Sequence, residues 1–78
     1  MNDYENLKRS YIAAIQFGMT TGANYNEARY GNELLHKFCE ECIDSSNYSE
    51  YDKQHMKQEL KCVKETLSNE IEHQYGCK

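Results

Sequence analysis

Thirteen acidic side chains against nine basic ones, a formal charge of -4 and a pI near 5.3, spread over 78 residues, leave room for one domain and not for a catalytic domain beside a substrate domain. A hydrophobic fraction of 38% with a mean hydropathy of -0.99 is low, yet Leu, Ile, Phe and Tyr recur at regular spacing, so a small packed core is expected rather than disorder. No run approaches the roughly 20 apolar residues of a membrane span, and the start, MNDYENLKRS, is charged where a secretory signal would turn apolar.

The absence of proline and the scarcity of glycine point to helices. Tyr4, Leu7, Tyr11, Ile15 and Met19 recur every three or four residues and predict a helix over about 3–17, opened by Asn2 or Asp3. The glycine- and threonine-rich stretch 18–26 interrupts the period and reads as a loop. Asn24 followed by Glu27 has the spacing of a capping box and predicts a second helix over about 24–44, with Gly31 as a candidate kink. On its wheel Ala28, Leu35, Phe38, Cys39 and Cys42 fall on one face, with Leu34 and Ile43 at its margins. Asn47 and Glu50 repeat the capping-box spacing. Met56, Leu60, Val63, Leu67 and Ile71 then predict a third helix over about 47–75, ended by Gly76. The fold class expected is all-α, a small three-helix antiparallel bundle with a long C-terminal helix.

The chemistry-bearing residues are the cysteines and histidines. Cys39 and Cys42 share the apolar face of the second helix and read as small hydrophobes. The alternative is zinc, with Cys39, Cys42, His73 and Cys77 as four ligands of a stabilising site. Against it, no turn residue interrupts Cys39-Glu40-Glu41-Cys42, whereas zinc knuckles fold tightly around their cysteines. A redox pair is disfavoured by Glu40 and Glu41 and by a position far from a helix N-terminus. No phosphate loop, Gly-x-Ser-x-Gly or His-Glu-x-x-His occurs. The expectation is a protein without catalytic activity, cofactor or metal, cytoplasmic and with reduced thiols.

Charge is distributed unevenly. Residues 32–52 hold six acids (Glu33, Glu40, Glu41, Asp44, Glu50 and Asp52) against Lys37 alone. Glu40, Glu41 and Asp44 end the second helix, where the macrodipole disfavours negative charge by roughly 0.3–1 kcal/mol each. A local rule broken without evident compensation marks a candidate for function. Glu40, Glu41, Asp44, Tyr48, Glu50, Tyr51 and Asp52 are therefore the expected contact with a protein partner that presents a basic surface.

The functional expectation is a small acidic module that binds and blocks such a surface, as an inhibitor or adaptor. Chain length and Asn-, Lys- and Tyr-rich usage associate it with phage products that disable host nucleic-acid-binding enzymes or defence systems, anti-CRISPR proteins among them; no motif supports a particular family. The alternative is a nucleic-acid-binding regulator using the row Lys53, Lys57, Lys61 and Lys64. A homodimer is expected as well, formed over the long apolar stripe of the third helix.

Overall fold

In the computed structural model, which describes residues 3–76, three helices follow one another: α1 (Asp3–Thr20), α2 (Tyr25–Asp44) and α3 (Glu50–Tyr75). The fold is the all-α bundle that the periodicity predicts. Tyr4 of α1 reaches Glu59 of α3, and Gln74 of α3 reaches the Met19 carbonyl at the far end of α1, so α1 and α3 run in the same direction. Asp44 pairs with Lys57 while Glu33 pairs with Lys64, so α2 runs against both. The 26 residues of α3 rise about 39 Å, which matches the 40 Å long axis of the molecule.

Each helix end has a local cause. At the start of α2, Asn24 accepts from the Glu27 N–H at 2.8 Å and Glu27 accepts from the Asn24 N–H at 2.9 Å, the reciprocal box that the spacing predicts. At α3 the cap is Ser49, which accepts from the Asp52 N–H, and not Asn47; the helix begins at Glu50, three residues later than expected. Ser45 caps the end of α2 through its backbone N–H, and the Ser46 hydroxyl beyond it donates to the Ile43 carbonyl at 2.6 Å. α1 runs past the expected end at residue 17 because Thr20 and Thr21 donate their hydroxyls to the carbonyls of Gln16 and Phe17, partners for groups that a helix end leaves open. Gly22, at φ 110, then makes the turn that other residues avoid, and Gly76, at φ 60, caps α3.

The core is Tyr4, Tyr11 and Ile15 of α1, Ala28, Cys39 and Ile43 of α2, and Leu60, Leu67 and Ile71 of α3. One polar residue sits among them. Asn32 is 2% exposed, accepts from the Tyr11 hydroxyl at 2.5 Å and donates to the Lys64 carbonyl and the Ser68 hydroxyl, both at 3.1 Å. One side-chain amide thereby joins all three helices with its oxygen and its nitrogen both used. Sequence periodicity leaves Asn32 out of the core. It also places Phe38 in the core, whereas Phe38 is 55% exposed.

These two departures have one cause. Tyr11 buries a hydroxyl that must find a partner, and Asn32 supplies it, which turns α2 so that Ala28, Asn32, Cys39 and Ile43 point inward. Leu34 and Phe38, about a third of a turn or more away on the wheel, are left outside. Gly31 lets α1 approach, since a Cβ there would stand 3.7 Å from Cδ1 of Ile15; α2 continues through it without a break.

Candidate contact surfaces

The seven residues expected to form an acidic contact do not form one surface. Asp44 receives Lys57 at 2.6 Å on its carboxylate and Lys53 at 3.0 Å on its backbone carbonyl. Two ammonium groups from α3 therefore meet the C-terminal end of α2, where the macrodipole favours cations. The broken rule at Asp44 has its compensation inside the fold. Glu40 is only partly exposed and lies 3.7 Å from Nε2 of His36. Tyr48 is partly buried against the core. Glu50 lies 4.0 Å from Lys53, while Glu41, Tyr51 and Asp52 are exposed. On helical wheels Glu41 faces outward on α2 and Tyr51 outward on α3, two different sides of the bundle. Tyr51 packs its ring on His55 at 5.3 Å, at the edge of a groove shared with Gln54, Gln58, Glu59 and Cys62.

The lysine row is likewise engaged. Lys64 reaches Glu33 at 2.9 Å, Lys57 and Lys53 hold the end of α2, and of the four only Lys61 has no intramolecular partner among the described residues. Direct hydrogen bonds hold the Glu33 carboxyl below, and the Lys57 ammonium above, their ordinary ranges. Three of the four lysines thus tie α3 to α2.

Nor do the metal candidates meet. Cys39 and Cys42 lie in the half of α2 whose end is held by the first turns of α3, while His73 lies beside the start of α2, where Tyr25 bonds Glu72. The antiparallel packing puts them at opposite ends of the bundle, and among the described residues no three His, Cys, Asp or Glu side chains gather to hold an ion. Cys77 lies outside the described residues. Cys39 is 2% exposed, and burial, with a smaller effect of neighbouring Cys42, pushes its thiol up to about 11, as a core hydrophobe and not a nucleophile requires.

The apolar stripe of α3 is covered within the chain. Leu60, Leu67 and Ile71 are buried, and Met56, Val63 and Tyr75 pack against the core. Tyr75 donates to the Ala23 carbonyl, so the α1–α2 loop caps the far end. The surface on which the homodimer expectation rested is thus occupied by α1 and α2.

An exposed apolar line lies elsewhere. Tyr30, Leu34 and Phe38 are 67%, 51% and 55% exposed at successive i, i+4 positions of α2. They point about 110–170° away from the centre of the buried face. Phe38 and Leu34 line a shallow groove of about 490 Å³ with Leu35, Lys37 and Glu41. Neither Lys37 nor Glu41 has an intramolecular partner among the described residues. The signal was in the sequence as a second 3.6-residue stripe. A reading that seeks one apolar face per helix merges the two.

Among the described residues no helix is long and apolar enough to cross a membrane. The chain matches no protein-family model, no curated protein and no solved structure at a significant level.

Proposed function

We propose that the protein is a non-enzymatic module that binds a partner protein through the outer face of α2, from Tyr30 to Glu41, and blocks the surface it covers. The observation that carries this reading is the line Tyr30, Leu34 and Phe38, each more than half exposed on a helix whose other face is already committed to the core. Aromatic and aliphatic side chains aligned in the open are what a docked surface desolvates. Glu27, Glu33 and Glu41 frame the line against Lys37, so the matching surface is apolar with a basic rim, which retains the basic partner expected from the acidic segment and moves its contact from the α2–α3 turn to α2 itself. An inhibitor of a host nucleic-acid-binding enzyme fits this chemistry, because such enzymes expose basic surface.

The test compares what three immobilised proteins retain from lysate, by quantitative mass spectrometry: the wild type, Phe38→Lys on the proposed face, and Tyr51→Lys on the outer side of α3. The reading predicts a protein retained by the wild type and Tyr51→Lys and lost with Phe38→Lys. Retention lost with Tyr51→Lys and kept with Phe38→Lys would move the contact to α3.

A further inference from the structure

The same face is able to meet itself. In an antiparallel pair of α2 helices related by a two-fold axis, residues on one flank of the stripe meet the same flank of the other copy. Glu33 and Lys37 lie on one flank, about 40° apart on the wheel, and are equidistant in sequence from residue 35. A two-fold axis passing beside residue 35 therefore brings Lys37 against Glu33 of the second copy, twice. Glu33 is 62% exposed and gives one carboxylate oxygen, Oε1, to Lys64, so Oε2 remains for an incoming ammonium. In that register Leu34 meets Leu34 and Tyr30 lies across from Glu41.

The geometry points to a homodimer closed through the outer faces of α2, in which the docking line is covered by its own copy and self-association competes with partner binding. This rests on the outer face of α2 being the contact. Charge complementarity selects the second copy: each copy supplies one unpartnered ammonium and one half-used carboxylate at matching positions, and a face-to-face pairing of the acidic corner residues would offer only like charges. α2 spans about 30 Å, and a contact confined to one helix pair belongs with the weak interfaces that bury less than about 1,200 Å². The pairing is therefore reversible, as a resting state displaced by a tighter partner needs to be.

Sedimentation equilibrium from about 1 to 200 µM chain concentration tests it. The wild type is expected to pass from the mass of one chain, 9.2 kDa, toward twice that mass as concentration rises. Lys37→Glu and Glu33→Lys are each expected to weaken the pairing about ten-fold or more at low salt. The double variant Glu33→Lys with Lys37→Glu is expected to restore it, because the swap recreates both pairs. All of these side chains are exposed, so none of the variants removes core; Glu33→Lys also breaks the Lys64 pair, in the single and the double variant alike, so rescue is read by comparing those two. A one-chain mass over the whole range overturns the dimer, and so does a dimer that survives Phe38→Lys or whose charge variants show no rescue. A monomeric chain that still retains a lysate protein through Phe38 would overturn self-pairing while leaving the docking reading intact; loss of both would remove the two together.

Discussion

Asn32 decides the orientation of α2. Its amide holds Tyr11 of α1 and the backbone and Ser68 of α3, and removing it leaves the Tyr11 hydroxyl with only the Asn32 backbone carbonyl at 3.4 Å. Asn32→Ala is expected to cost about 1–3 kcal/mol, the usual penalty for a buried polar group that loses its short partner, and Tyr11→Phe, which keeps the ring but leaves the Asn32 amide oxygen without its donor, about 1–3 kcal/mol by the same reasoning. Urea denaturation of both and of the double variant checks the coupling, since the double variant should cost less than the two singles combined. Cys39 makes a second residue-scale test. Its buried thiol should react with an aromatic disulfide reagent many-fold more slowly than exposed Cys62, and chelator should leave the melting temperature unchanged. Melting at a much lower temperature in EDTA would restore the zinc alternative.

At the scale of the element, the sequence showed its caps and its periods more clearly than its facing. The box at Asn24 and the glycine stop at Gly76 were legible because each is a local pattern of one or two residues. The start of α3 was displaced because Asn47 and Ser49 both have cap chemistry and the decision between them lies in the turn that Ser46 closes. The facing of α2 was not legible, since seven apolar or small residues cover about half its circumference, and what selects among them is a hydrogen bond to another helix. The acidic end of α2 is a similar case. Sequence shows acids where the dipole disfavours them, and only packing brings Lys53 and Lys57 across from α3 to meet them. Lys53→Met should therefore cost about 0.3–1 kcal/mol, the ordinary worth of a cation at a helix C-terminus. An equal cost for Lys61→Met, which touches no such end, would contradict this assignment.

For the molecule as a whole, stability should depend on pH most steeply on the alkaline side. Burial raises Cys39 to about 11 from an ordinary 9, and burial also raises Tyr4 and Tyr11 well above their ordinary 10, Tyr4 with the further effect of Glu59 accepting its hydroxyl. Between the unfolded and folded values the native chain holds protons that the unfolded chain releases, so the contribution of these groups is complete below pH 9 and is lost as pH rises beyond it. On the acid side Glu59 is held below its ordinary range, first by the Tyr4 hydroxyl and then by Lys8, so its contribution is lost as pH falls below about 4.5. Urea midpoints between pH 4 and 11 should show a plateau flanked by both declines; a midpoint that keeps rising beyond pH 9 would contradict the buried placement of these groups.

α2 carries two stripes, one buried in the core and the other exposed and proposed here as the contact. The most direct measurement is the urea unfolding free energy of Leu34→Lys combined with Phe38→Lys, at sub-micromolar concentration where self-pairing contributes little. Substitutions at exposed positions without a structural role change stability by about 0.5 kcal/mol or less, and the account predicts a value within that range of the wild type. A loss of about 2 kcal/mol or more, the scale of burying charge in a packed site, would mean that the outer face of α2 belongs to the core, and would contradict it.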